Sequence, residues 1–130
     1  MYDDPDMTHD EKRVRDLMTP DPVAASPATP IAELGALMRE HECRHVPIVD
    51  QNRLVGVVST KDLARAGSIA ADVMTRSPIA VAPDTPLGVA AAMIAIRKVG
   101  CLLVVENGTL VGIVTTYDLL DAFARHSRAP

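Results

Sequence analysis

The sequence predicts a mixed α/β (α+β) fold built from two β-α-β-β-α repeats, each a small three-stranded sheet flanked by helices. Three observations carry that expectation. The chain matches itself without a gap: Asp16, Thr29, Gly56 and Asp62 recur 56 residues on as Asp72, Thr85, Gly112 and Asp118, the mark of a duplicated structural unit. Within each copy the apolar spacing changes from helical to short extended runs bounded by turn residues. The composition is 48% hydrophobic but only 2% aromatic, so the core must be built from Ala, Val, Leu, Ile and Met. The copies divide the chain as residues 1–67 and 68–130. A unit of about 60 residues buries only roughly 60% of its unfolded surface. The two should therefore be stable together, each covering the other's bare sheet face about an approximate twofold axis, with two related clefts left between them.

The elements follow in order. Residues 1–7 read as frayed. Thr8-x-x-Glu11 fits a capping box and predicts a helix through Val14 and Leu17 to Met18. Thr19-Pro20-Asp21-Pro22 ends it, because proline lacks an N–H and restricts the residue before it. Val23-Ala24-Ala25 reads as a short strand. Thr29-Pro30 supplies an N-cap and a first helical residue, and Ile31, Leu34, Leu37 and Met38 follow at helical spacing. Residues 46–49 and 54–58 form a hairpin around the turn-like Asp50-Gln51-Asn52-Arg53, and residues 60–66 a helix ending near Gly67. The second copy repeats this order from Ser68, with Asn107-Gly108 as a strong hairpin turn. The strand–helix–strand crossover of each copy should be right-handed.

Composition narrows the function. The net charge is −4 and the pI near 5.4, with no cluster of Lys and Arg to track a phosphate backbone. One Phe, two Tyr and no Trp leave no platform for stacking bases, so nucleic acid is not an expected partner. The N-terminus lacks the apolar region of a signal peptide, and no apolar run approaches the ~18 residues of a membrane span. Cys43 and Cys101 have no framework spacing. Together these features predict a soluble cytoplasmic protein. With no nucleophile elbow, no phosphate loop and no paired acid and base, the chain is not expected to be an enzyme.

The chemistry sits where an apolar strand runs into a helix start. There Ser59-x-x-Asp62 and Thr115-x-x-Asp118 place a hydroxyl and a carboxylate beside backbone N–H groups, an arrangement that can hold a sugar and an anion. The same spacing has an architectural explanation, a capping box with the hydroxyl at N-cap and the acid at N3. Both roles can coexist, since a carboxylate has room for two sugar hydroxyls. His41-x-Cys43-x-His45 gathers three possible zinc ligands, but no fourth is evident and the spacing fits no usual zinc pattern, so no metal is required. Met18, Met38, Met74 and Met93 fall at buried helix positions, as adaptable packing in a core without aromatics.

These residues resemble a tandem cystathionine-β-synthase (CBS) domain pair, or Bateman module. The resemblance rests on Asp16-Leu17-Met18-Thr19, Thr29-Pro30, His45-Val46-Pro47-Ile48-Val49-Asp50 and Gly56-Val57-Val58-Ser59-x-x-Asp62. In the second copy it rests on Asp72-Val73-Met74-Thr75, Thr85-Pro86 and Gly112-Ile113-Val114-Thr115-x-x-Asp118. It implies a regulatory module that binds AMP, ADP, ATP or S-adenosylmethionine and signals occupancy, as in energy sensing, to an unidentified regulated protein. Asp62 or Asp118 would hold ribose hydroxyls, and Ser59 or Thr115 would reach ribose or phosphate. Backbone near Val23-Ala24, Ile79-Ala80 and Val46-Pro47 would receive adenine, and Arg44 and His45 would meet phosphate. The resemblance also implies a homodimer, head-to-head or head-to-tail, for which the segments 14–18 and 70–74 are candidate surfaces.

The copies are not identical. Arg44 and His45 have Gly100 and Cys101 as counterparts, and Pro47 has Leu103. Arg can fork onto phosphate oxygens, so the two clefts are expected to differ, with one preferring a phosphorylated ligand. The alternative is that Arg44 is a solvated surface charge and His45 a strand-edge residue. The family's Pro keeps a strand carbonyl free. Two other functions remain open: a dimerisation module without a ligand, and a metal or redox sensor using His41, Cys43 and His45.

Overall fold

The computed structural model describes residues 12–127; the expected frayed start and the capping box at Thr8 and Glu11 lie outside them. In chain order a 3-10 turn over Val14–Asp16 precedes β1 (Thr19–Pro20), α1 (Ile31–His41), β2 (His45–Asp50) and β3 (Arg53–Ser59). A second 3-10 turn, Thr60–Ala64, leads to α2 (Ala70–Val73), β4 (Thr75–Arg76) and β5 (Ala80–Val81). α3 (Leu87–Arg97), β6 (Cys101–Glu106), β7 (Thr109–Thr115) and α4 (Thr116–Ser127) follow. This is the mixed α/β arrangement the sequence predicts. Among the described residues no helix is long and apolar enough to cross a membrane.

The described chain falls into two compact units. One gathers residues 21–78 and 108–110; the other gathers 12–20, 79–107 and 111–127. In the first unit the strands run β2-β3-β4, all antiparallel. Its core is Leu34 and Met38 of α1, Val46 and Ile48 of β2, Val58 of β3, and Ala70, Val73 and Met74. In the second unit the order is β1-β7-β6-β5, with β5 parallel to β6. Its core is Val14, Leu87, Ala90, Ile94, Leu102, Val104, Val114 and Leu119.

The segment ahead of each copy thus packs into the core of the other copy. Val14, Ala70 and Val73 are wholly buried, so these side chains of the segments 14–18 and 70–74 serve the interior. The doubled Asp-x-Met-Thr motif explains how. Asp16 accepts the Arg13 N–H at 2.7 Å, and Asp72 accepts the N–H groups of Ser68 and Ile69 at 2.8 and 3.1 Å. Each acid thereby closes its own short turn. The methionine then slides over a glycine. A Cβ on Gly56 would lie 2.5 Å from Met74 Sδ and 3.0 Å from the Thr75 carbonyl oxygen, and one on Gly112 would lie 2.5 Å from Met18 Sδ and 3.1 Å from that of Thr19. The threonine starts an added edge strand, β4 on β3 and β1 on β7.

The expected strand at Val23-Ala24-Ala25 shrinks to a single bridge, Ala25 to Ile48. The cause is Pro47. Ala25 N–H donates to the Pro47 carbonyl at 3.0 Å and Val49 N–H to the Ala25 carbonyl at 2.8 Å, but the next rung would need an N–H that proline lacks. Leu103 supplies that rung in the second copy, donating to the Ile79 carbonyl at 3.0 Å, and there the strand β5 forms. The helix expected over residues 60–66 is only a 3-10 turn, because Leu63 alone supplies an apolar anchor. Its counterpart continues as α4, which buries Leu119 and Ala122.

Candidate functional site

In the first unit the site forms where β3 ends. Ser59 keeps extended backbone (φ −100°, ψ 168°) and the chain then tightens into the turn at Thr60. This folds Asp62 back onto Ser59: Oδ2 accepts the Ser59 N–H at 2.8 Å and the Ser59 hydroxyl at 3.0 Å. Oδ1 lies 3.6 Å from Arg65 Nη1. Thr60 donates its N–H and its hydroxyl to the Arg44 carbonyl, at 3.0 and 3.3 Å. That pair of bonds ties the loop before β2 to the end of β3. It sets Arg44 beside His45, and His45 pairs directly with Ser59 across the ladder.

Charge at this sheet end is uneven. The Arg44 side chain is exposed, and no hydrogen bond or ion pair holds its guanidinium among the described residues. The His45 imidazole lies below its ordinary value of 6.5, chiefly through burial; the Asp62 charge pulls it back up and the Arg44 charge pushes it down. Val46 and Pro47 are buried behind it, Val23 is half-buried and Ala24 exposed. Because Pro47 has no N–H, the Val23 carbonyl is left without a hydrogen-bond donor among the described residues. An unpaired, partly buried carbonyl is uncommon in a folded chain and is costly unless water or a ligand meets it.

The second unit repeats the frame without the charge. Asp118 Oδ2 accepts the Thr115 N–H at 2.9 Å, and the Asp118 N–H donates to Thr115 Oγ1 at 3.2 Å. This is a complete reciprocal cap, whereas in the first unit the Ser59 hydroxyl turns onto the carboxylate. Thr116 donates N–H and hydroxyl to the Gly100 carbonyl at 3.0 and 3.3 Å. Ile79 has its carbonyl committed to Leu103, and Ala80 pairs with Leu103 in the ladder. In place of His45 stands Cys101, buried, its thiol pushed up to about 11 by desolvation.

The structure therefore brings Ser59, Asp62, Arg44 and His45 to one sheet end, with Val46 and Pro47 adjoining. It joins Thr115 to Asp118, and it seats Ile79 and Ala80 beside Leu103. Thr60 and Thr116, which organise both sites, went unnoticed in the sequence; the signal was a hydroxyl residue at the same register in both copies. His41, Cys43 and His45 do not converge: no group of three His, Cys, Asp or Glu side chains that could hold a metal occurs among the described residues. Cys43 and Cys101 are both free thiols.

The model of the CBS domain matches residues 14–68 and again 70–125. An inosine-5'-monophosphate dehydrogenase of Korarchaeum cryptofilum is 36% identical over 112 residues, covering 83% of this chain and 24% of that protein. The chain thus spans about a quarter of the length of that curated relative. Among solved structures, the CBS domain pair of protein MJ0100, in complex with 5'-methylthioadenosine and S-adenosyl-L-methionine, superposes with a TM-score of 0.84 at 28% identity, over 88% of this chain and 97% of that one. CBSX2 in complex with AMP gives a TM-score of 0.80 at 32% identity, over 89% and 98%.

Proposed function

The chain belongs to the CBS domain family, and on that premise we propose that it is a non-catalytic regulatory module that binds an adenosine-containing ligand. Occupancy is signalled through conformation or assembly to a regulated protein, in a reducing cytoplasm that keeps Cys43 and Cys101 as thiols. The ligands present in the MJ0100 and CBSX2 complexes support this class of ligand. The dehydrogenase activity of the longer relative is not carried over.

The observation that carries the proposal is the donor and acceptor set at the β3 end of the first copy. The open Val23 carbonyl suits the amino group of adenine. The Asp62 carboxylate, already fixed by Ser59, accepts from ribose hydroxyls. Arg44, without an ion-pair partner among the described residues, forks onto phosphate. The first copy is accordingly the site for AMP, ADP or ATP. The second copy has its Ile79 carbonyl satisfied and no cation at Gly100 or Cys101, and it suits an adenosine without phosphate, such as S-adenosylmethionine, held by Thr115 and Asp118.

Thermal shift against AMP, ADP, ATP and S-adenosylmethionine tests this. A ligand at 100 times its Kd adds about 2.7 kcal/mol, a rise in Tm of roughly 10 °C. Asp62→Asn is expected to abolish the shift with AMP, Pro47→Leu to weaken it by closing the Val23 carbonyl, and Asp118→Asn to leave it in place. A folded wild-type protein whose Tm moves with none of the four compounds overturns the proposal and leaves the dimerisation module without a ligand.

A further inference from the structure

One of the side chains gathered at the end of β3 changes its charge near neutral pH. His45 is half-buried and pairs with Ser59 across the ladder. Its surroundings come from three directions. β2 and the residues just before it supply Arg44 and the Cys43 thiol, which accepts the His45 N–H. β3 and the turn after it supply Ser59, Thr60 and Asp62, with the Asp62 carboxylate held on Ser59. Helix α1 brings Met38, uncharged, against Thr60. Asp62 and Arg44 are the charges that the imidazole feels among the described residues, and they oppose each other. Arg44 keeps its charge throughout the ordinary pH range. Burial holds the Cys43 thiol above its usual 9.0, and hence neutral. Histidine is the side chain whose ordinary pKa lies between about pH 5 and pH 8.

The chain's own groups favour the neutral imidazole. Burial disfavours the imidazolium most, and Arg44 disfavours it further. A phosphate seated on Arg44 reverses both effects. It gives negative charge and acceptor oxygens to an imidazole that has lost water, and it offsets the guanidinium. The second copy lacks this chemistry. Gly100 and Cys101 stand at the matching positions, and the Cys101 thiol, pushed up to about 11, stays neutral.

On the reading of this site as one for AMP, ADP or ATP, we propose that His45 binds a proton together with the phosphate. The imidazole takes up a proton from solvent as the 5′-phosphate of the nucleotide settles against Arg44, and the first copy grips phosphorylated ligand more tightly as the medium turns acidic. Proton and phosphate strengthen each other by the same factor, since linkage is reciprocal. The imidazole has the higher pKa in the complex. Its contribution to affinity is therefore absent above that value, grows as pH falls toward the pKa of the protein alone, and is complete below it. An adenosine without phosphate brings no such charge, and its affinity is indifferent to this proton. The site thereby responds to acidity and nucleotide jointly.

Proton NMR and binding titrations on the full chain test this. With His9→Gln, His41→Gln and His126→Gln, His45 is the remaining histidine, and its imidazole resonances titrate alone. Saturating AMP is expected to raise their midpoint by about one pH unit, whereas adenosine leaves it in place. Calorimetry compares AMP binding to the natural sequence and to His45→Gln. The phosphate's own titration is common to both and cancels in the ratio of their dissociation constants. That ratio is expected to widen about fivefold between about pH 7.5 and about pH 5.5. A midpoint that AMP does not move, an equal shift with adenosine, or a ratio constant with pH overturns the proton coupling while leaving the nucleotide site standing. A folded protein that binds none of AMP, ADP and ATP at any pH removes the nucleotide site and the coupling with it.

Discussion

His45 is drawn below its ordinary 6.5 first by burial, with Asp62 opposing and Arg44 assisting. A depressed pKa means that the unfolded chain takes up the proton more readily than the folded one. Stability from this group is complete above about pH 6.5 and is lost as pH falls through the window down to the folded value, where the unfolded state binds more protons. Melts followed from about pH 7.5 to about pH 5 should show Tm declining below about pH 6.5, and His45→Gln should flatten part of that decline. An identical pH profile in the variant would remove His45 as its source. At this scale the sequence was informative about spacing and silent about register. The hydroxyl and the acid three residues apart announced the closed turns at Ser59 and Thr115. Why Gly56 and Gly112 must be glycine shows only in the fold, where they make room for Met74 and Met18. The open carbonyl of Val23 depends on which residue stands opposite it in the ladder, and a linear reading of Val23-Ala24-Ala25 holds no trace of that.

The two hairpins offer a comparison within one chain. Both connect their strands through two residues at positive φ, Gln51 and Asn52 at 50° and 65°, Asn107 and Gly108 at 52° and 79°. This is the twist a two-residue hairpin needs, and Asn-Gly meets it with least strain. Glutamine in the left-handed region is strained by the order of 1 kcal/mol. Replacing Gln51→Asn together with Asn52→Gly should raise stability by about 1 kcal/mol, or roughly 3–5 °C in a thermal melt; an unchanged or lower Tm would show that the first turn is not strained. The hairpin strands of the first copy, expected at residues 46–49 and 54–58 and found at 45–50 and 53–59, could be read from the sequence to within a residue. β1 and β4 could not. Each is two residues long, too short to alternate, and each exists only because a partner far along the chain offers an edge.

At the scale of the whole molecule, the exchange of segments makes each core depend on both copies. Val14 lies in the core with α3, β6 and β7, and Val73 in the core with α1, β2 and β3. Val14→Ala and Val73→Ala should each cost about 2 kcal/mol. Amide hydrogen exchange should report them in different places, Val14→Ala at residues 87–94 and 102–104 and Val73→Ala at residues 34–38 and 46–48. Loss of protection in the opposite set would contradict the division of the cores. The same exchange imposes a schedule on biosynthesis. Residues 21–78 are contiguous and can begin to condense as soon as they leave the ribosome. Residues 12–20 emerge earlier but must wait for strands encoded far downstream, roughly 5–20 s at ordinary elongation rates. For that interval Val14, Leu17 and Met18 stay in water on a nascent chain, as a greasy hook that chaperones are suited to hold until its berth has been translated.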